Sequence, residues 1–495
     1  MNRLFFLSLF LLISLSAIGQ LTALQLRDTN LMSSEGIAVS AQMGSFQVPE
    51  NRNNPGSRKI RLRFVRLKST NPNPRPPLVY LEGGPGSACT WQAENPAFLE
   101  RWRQYLSVCD VILLDQRGTG ENGQESLFIW MKEIPEEVFV KQSVARTHFR
   151  AIAREALQAY QERGIDLSAY TSKENAADIE DLRKSLALDK ISLLGFSYGT
   201  HLGQTYLRYF GQNVEKAILV GTEGSNHTWK LPQSLDTQLK RLSLMAKSDP
   251  LLKQDVPDLL KLYQGVVAKL ARKPMEVSIT SPLTREKIKV KVGPIGLQMI
   301  LRIDIGDASD LPVFPRLLYS IDQGDPSILQ WFVQKRYSNV LGTQGMAVTM
   351  DLASGASRAR RLAIQQQENN SLFPGMTNLG MEMIEDIWPV PDLGEDFRSP
   401  LICDIPTLFM SGSLDFNTPP YQAEEVRWGF ARSSHIIVEQ AGHEQILAHP
   451  ESVPTILRFL KGERLDTAIL SFPELQFIPV KGKPGKLSHP SLEEN

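Results

Sequence analysis

Short apolar runs without polar alternation recur along the chain at Leu78–Leu81, Val111–Leu114, Ile191–Leu194, Ala217–Val220, Thr407–Met410 and His435–Val438. A strand that is apolar on both faces must be covered on both. The runs therefore predict an α/β protein with a mostly parallel sheet and crossover helices on each side. Ile60–Leu67 reads differently, because Ile60, Leu62 and Phe64 alternate with Arg61 and Arg63 as in a half-exposed strand. The proline-rich stretch Asn71–Pro77 is expected to end it. Two helices frame the Ile191 strand. Thr171 and Glu174 form a capping box ahead of Ile179, Leu182 and Leu186 at helical spacing. Leu202, Tyr206 and Tyr209 line one face of the second helix, which Gly211 is expected to stop.

Between about Asn226 and Glu395 the strand rhythm gives way to helical patterning, with strand character only at Ile288–Val292. An insertion there would form a lid over the C-terminal edge of the sheet. Strand–helix alternation resumes near Ile405. The expected division is a core in two parts, 20–225 and 396–465, a helical lid over 226–395, and a peripheral tail over 466–495. Residues 1–19 read as an export signal: Asn2 and Arg3, an apolar run from Leu4 to Ile18, then small residues Ala17 and Gly19. That run is shorter than the about 20 residues of a membrane-spanning helix. The expectation is a secreted or periplasmic protein without a stable membrane anchor.

Lys plus Arg and Asp plus Glu both number 54 among 495 residues, so the chain as a whole lacks the basic surplus that nucleic-acid or membrane-surface binding requires. The cysteines are three, Cys89, Cys109 and Cys403. An exported chain permits a Cys89–Cys109 bridge, and burial as small apolar side chains is the other reading.

The chemistry centres on Gly195-Phe196-Ser197-Tyr198-Gly199. The pentapeptide alone is common, but here a strand ends directly before it and a helix begins directly after it. That is the setting of a nucleophile elbow, in which flanking glycines let neighbouring backbone approach a strained serine. A serine hydroxyl needs a neutral histidine to take its proton, and the histidine needs an acid to orient it. In the α/β-hydrolase fold the partners follow in the order serine, acid, histidine. Asp415 follows the Thr407 strand and His443 follows the His435 strand, which places both at the sheet edge that carries Ser197. His201, His435 and His449, with Asp115 and Asp404, are the competing side chains, and each reads as structural from its position. His443-Glu444 followed by His449 lacks the spacing of a zinc helix, since position 447 is Leu. No metal and no cofactor are expected.

The negative oxygen of an acyl-transfer intermediate must meet fixed donors. One is expected from the N–H of Tyr198. The other should come from the loop Glu82-Gly83-Gly84-Pro85-Gly86, with Gly84 favoured and Gly83 the alternative.

Gly83-Gly84-Pro85-Gly86, Asp115-Gln116-Arg117-Gly118-Thr119-Gly120, Gly195–Thr200, Asp415 with Thr418-Pro419-Pro420, and Gly442-His443 together resemble the proline iminopeptidase and tripeptidyl aminopeptidase group of α/β-hydrolases. Glu82 departs from the histidine usual there, and Glu121-Asn122-Gly123 lacks the usual serine. The resemblance implies peptide substrates from which residues or short peptides are removed at a free N-terminus. A carboxylate would then hold the substrate ammonium, with Glu223, Glu382 and Glu385 as candidates. An esterase or lipase using the same triad, and a non-catalytic binding protein, are the alternatives.

Overall fold

The computed structural model describes residues 24–120, 126–130, 134–482 and 489. The export signal read at 1–19 and the Glu121-Asn122-Gly123 departure lie outside the described residues.

Fourteen strands occur among the described residues: β1 (Gln25–Met32), β2 (Ala38–Pro49), β3 (Lys59–Leu67), β4 (Arg75–Leu81), β5 (Cys109–Leu114), β6 (Phe128–Trp130), β7 (Ile191–Phe196), β8 (Val214–Val220), β9 (Met275–Thr280), β10 (Lys287–Val292), β11 (Gly342–Gln344), β12 (Thr407–Gly412), β13 (Ser433–Glu439) and β14 (Ala468–Ser471). Ten of them form one sheet in the order β1-β2-β3-β5-β4-β7-β8-β12-β13-β14. The pairs from β1 through β5 along that order are antiparallel, and those from β5 to β14 are parallel.

The apolar runs are the parallel strands. Successive residues of β7 point to opposite faces, so Leu193 joins one buried cluster and its neighbour Leu194 the other. Both faces are thus covered, each buried leucine contributing about 1.5–3 kcal/mol. In β3, Ile60, Leu62 and Phe64 are buried while Arg61 is exposed, following the alternation.

The strand read at Ile60–Leu67 ends at Leu67, ahead of the proline-rich stretch, as expected. Pro76 and Pro77 lie inside β4, at a register shift between Arg75 and Leu78, rather than in a break. Gly211 ends the helix as expected, with ordinary right-handed angles that lead into a 3-10 turn. The segment read as a peripheral tail supplies the parallel edge strand β14 and buries Phe477 and Ile478. Of the two readings of the cysteines, the structure bears out burial: Cys89, Cys109 and Cys403 are buried free thiols.

Between β8 and β12 lie helices including Pro232–Ser248, Leu259–Arg272, Pro294–Asp304, Phe314–Gln323, Ser327–Arg336 and Gly345–Ser354, together with the β9–β10 hairpin. This layer is tied to the core by hydrogen bonds as well as packing. Gln238 Nε2 donates to Leu414 O at 2.8 Å, and β11 pairs with β6 of the core. No helix among the described residues is long and apolar enough to cross a membrane.

Candidate active site

Strand β7 turns directly into the helix Tyr198–Phe210 at Ser197, whose φ of 54° and ψ of −124° are strained for a residue with a Cβ. The surroundings hold it there. Ser197 N donates to Val220 O at 2.9 Å, and its carbonyl accepts from Thr200 N at 2.8 Å and Thr200 Oγ1 at 2.7 Å. A Cβ on Gly195 would lie 2.4 Å from Gly199 O, and one on Gly199 would lie 1.8 Å from Leu81 O. Both glycines are required by close backbone approach, the role the motif assigns them.

Asp415 leaves the end of β12 and His443 the end of β13. Asp415 Oδ1 accepts from the backbone N–H of Asn417 at 2.8 Å and of Thr418 at 3.0 Å. Its Oδ2 accepts from Thr418 Oγ1 and from His443 Nδ1, each at 2.6 Å. Burial alone would raise the Asp415 carboxyl, but the charge of His443 and these hydrogen bonds outweigh it and hold the group below its usual range. For His443, burial favours the neutral ring, yet the Asp415 carboxylate prevails and raises its pKa above the ordinary value. The bond to Asp415 fixes the proton on Nδ1 and leaves Nε2 as the ring's acceptor. The ring packs against Phe196 with centroids 5.0 Å apart, and His443 N donates to Gly306 O of the helical layer at 2.8 Å. Ser197 and His443 line one cavity of ≈ 440 Å³.

The competing side chains are engaged elsewhere. His201 lies between Gly224 O (3.2 Å) and Ser354 Oγ (3.1 Å), and His435 between Glu424 Oε1 (2.5 Å) and Ser411 Oγ (2.9 Å). His449 meets Ser471 O at 3.3 Å, and Asp404 is exposed. Asp115 accepts from Cys89 N (2.8 Å) and from Thr90 N (2.9 Å) and Oγ1 (2.7 Å), which closes a turn.

The glycine loop after β4 packs directly on the elbow, since a Cβ on Gly83 would lie 2.9 Å from Ser197 Cβ. Gly83 N–H is already bonded to Glu82 Oε1 at 2.9 Å, which leaves Gly84 as the loop's candidate donor. Tyr198 opens its helix, so its N–H has no partner one turn earlier. Glu82 is itself anchored: Tyr80 OH reaches Oε1 at 3.0 Å, Gln92 Nε2 reaches Oε2 at 2.6 Å, and Gln116 Nε2 reaches its carbonyl at 2.8 Å. Arg117, wholly buried, sets Nε and Nη2 on the two carboxylate oxygens of Asp178, each at 2.7 Å, and donates from Nη1 to Glu50 O and Ala169 O. The Asp-Gln-Arg run therefore braces the loops around Ser197 without entering the cavity.

The lining of the cavity also carries charge. Glu223, from the loop after β8, is paired with Lys230, and Asp351, from the helix Gly345–Ser354, faces the same space. Burial would raise Glu223, but Lys230 and the neighbouring histidines hold it below its ordinary value. Burial and the Glu223 charge push Asp351 well above the carboxylate range, with Lys230 opposing. Glu223 was legible in the sequence as a loop carboxylate after a strand. Asp351 and Lys230 carried no such signal. Glu382 and Glu385 do not line the cavity, and Glu385 pairs with Arg361 at 3.0 Å. Among the described residues, no group of three or more His, Cys, Asp or Glu side chains is placed to hold a metal ion.

Residues 76–292 match the family model described as the alpha/beta hydrolase fold, and residues 377–468 match that of TAP-like proteins. A tripeptidyl aminopeptidase of Streptomyces coelicolor is 28% identical over 191 residues, covering 36% of this chain and 34% of its own length. The serine protease Hip1 of Mycobacterium tuberculosis is 25% identical over 201 residues, covering 38% of this chain and 37% of its own. The chain thus matches little more than a third of the length of these curated relatives. An esterase from Exiguobacterium antarcticum is 17% identical, covering 88% of this chain and 100% of that one, with a TM-score of 0.36.

Proposed function

The chain is an α/β-hydrolase, and on that premise we propose that it is an exported serine aminopeptidase acting through Ser197, His443 and Asp415. The observation that carries this reading is the cavity itself: the serine and histidine open onto a space that Glu223 and Asp351 also line. A peptide N-terminus brings an ammonium, and a buried carboxylate is its natural partner. Lys230 favours the ionised form of Glu223, and an incoming ammonium would favour the charged form of Asp351, which burial and the Glu223 charge oppose.

In the proposed reaction, Ser197 Oγ attacks the carbonyl carbon as His443 Nε2 takes its proton. Asp415 stabilises the imidazolium, and the N–H groups of Gly84 and Tyr198 meet the oxyanion. His443 then returns the proton to the departing amine, and water releases the acyl group by the same steps. The relatives named tripeptidyl aminopeptidase and serine protease support peptide substrates. Export rests on the segment 1–19, and amino-terminal sequencing of the mature protein tests it.

The deciding experiment compares one fluorogenic peptide with its N-acetylated form. Acetylation removes the charge and leaves a buried carboxylate without its partner, at a cost of about 1–3 kcal/mol. The expected loss in kcat/KM is at least about tenfold. Equal turnover of the two would reject the aminopeptidase reading in favour of an esterase or an endopeptidase.

A further inference from the structure

A second cavity, of ≈ 320 Å³, adjoins the one around Ser197, and the two share Glu82, Ser87, Phe196 and Glu444 as their common wall. Its remaining lining is largely aromatic and aliphatic, including Trp91, Phe98, Trp102, Tyr105, Leu194 and Leu447. We propose that this pocket receives the side chain of the first residue on the departing side of the cleaved bond, and that it selects an aromatic or large apolar residue there. The proposal rests on the peptidase reading above.

The side of the bond follows from where the proton must go. His443 has to protonate the leaving amine, so the departing residue must pass beside its ring. The ring itself lines the first cavity, and the second pocket begins at the residues that flank it. Glu444 follows His443 in the chain, Leu447 and Val453 lie just beyond, and Phe196 packs on the imidazole. The carboxylates proposed to hold the substrate ammonium, Glu223 and Asp351, line only the first cavity. A chain spanning Ser197 therefore has its amino end in the acidic cavity and its departing residue in the apolar one.

The chemistry of the occupant follows from the wall. Several of its polar atoms are bonded to one another: Trp91 Nε1 to Ala88 O at 3.0 Å, Trp102 Nε1 to Gln92 Oε1 at 3.0 Å, and Gln92 Nε2 to Glu82 Oε2 at 2.6 Å, while the Arg101 guanidinium lies over the Phe98 ring, 5.4 Å from its centroid. Tyr80 OH likewise meets Glu82. An aromatic or large aliphatic side chain entering there gains buried area against Trp91, Phe98, Trp102 and Leu447. Glu82 stands where the two cavities meet. It ties the glycine loop, through Gly83 N–H, to the pocket wall, through Gln92.

The test uses the full-length enzyme and peptides with one free-amine acyl sequence, differing only in the residue after the cleaved bond: Phe, Leu, Gly or Asp. Cleavage products are quantified by mass spectrometry. Phe and Leu should exceed Gly and Asp in kcat/KM by at least about tenfold. Leu447→Trp fills the pocket and should bring the Phe/Gly ratio toward about 1. It should leave the labelling rate of Ser197 by a fluorophosphonate unchanged, because that probe's leaving group is only fluoride. Should Leu447→Trp fail to label, Ala88→Phe fills the pocket from the opposite wall. Equal turnover of the four peptides, or a wild-type ratio in a labelled pocket-filling variant, overturns the proposal. The same series with acetylated amines separates the two readings: loss of the free-amine requirement with the Phe preference intact rejects the aminopeptidase and keeps the pocket. If no peptide is cleaved, benzyl and methyl esters of one N-acetylated amino acid carry the comparison, and equal turnover overturns the subsite.

Discussion

Gly199 sits so close to Leu81 that a Cβ on the glycine would stand 1.8 Å from the leucine's carbonyl oxygen. The contact joins the helix that follows Ser197 to the strand that feeds the glycine loop, so nucleophile and oxyanion donors are placed by one backbone approach. Because the atom met is backbone, it cannot swing aside. Gly199→Ala should therefore cost more than about 3 kcal/mol, the upper end of ordinary overpacking. Gly265, exposed in the helix Leu259–Arg272 with nothing near its missing Cβ, is the control. Gly265→Ala should be neutral or stabilising by up to about 1 kcal/mol. Urea midpoints of the two variants check both.

Ser197→Ala should fold with wild-type stability or better, since it keeps the elbow's backbone and removes only the hydroxyl. Its activity should fall by several orders of magnitude, because triad members act as a unit. An intact-mass adduct with a fluorophosphonate at wild-type yield on this variant would refute the assignment of Ser197.

The pH dependence follows from the Asp415–His443 pair. His443 acts only when neutral, and Asp415 raises its pKa, so kcat/KM should fall on acidification with a midpoint above the ordinary histidine value of about 6.5. Asp415→Asn removes the charge that raises it. The acidic limb should then move to lower pH, while the remaining rate drops by about 10⁴. A pH–rate profile of wild type and variant reads both effects.

Arg117 never reaches the cavity, yet its loss should be costly. Asp178, with no exposed side-chain surface, would lose its bidentate partner and keep only Arg52 at 2.7 Å. Arg117→Met should destabilise the protein by about 3 kcal/mol or more, as expected for one half of a buried ion pair. Urea denaturation measures it.

Asp351→Asn keeps the shape of the cavity wall and removes the carboxyl that an ammonium would ionise. It should lower kcat/KM for free-amine peptides about tenfold or more and leave their N-acetylated forms unchanged. An equal loss on both would place Asp351 in a structural role.

How far the sequence reaches depends on the range over which each constraint acts. The parallel strands were legible because burial on both faces demands uninterrupted apolar runs, as in Ile191–Leu194. The elbow was legible because strand, glycines and helix are consecutive, and the positions of Asp415 and His443 followed from the strands they leave. The β1–β2 hairpin went unread, although Val39, Ala41, Phe46 and Val48 carry an alternation. The β9 partner of the strand at Ile288–Val292 and the edge strand β14 were also missed, because short exposed strands are defined by their neighbours more than by their own residues.

By itself, then, the sequence determined the fold class, the nucleophile turn and the order of the proposed triad. All three are written in residues adjacent along the chain, where backbone strain and burial leave a local mark. Only the tertiary structure decided what faces Ser197. It brings Glu223 from a loop after β8, Lys230 from just beyond it and Asp351 from a distant helix around one space. It also gives Glu82 the Gly83 amide and Gln92 as partners. A carboxylate in isolation reads as a solvated surface charge. It becomes a site only when folding strips its water and sets a partner beside it, and no local pattern of residues records that event.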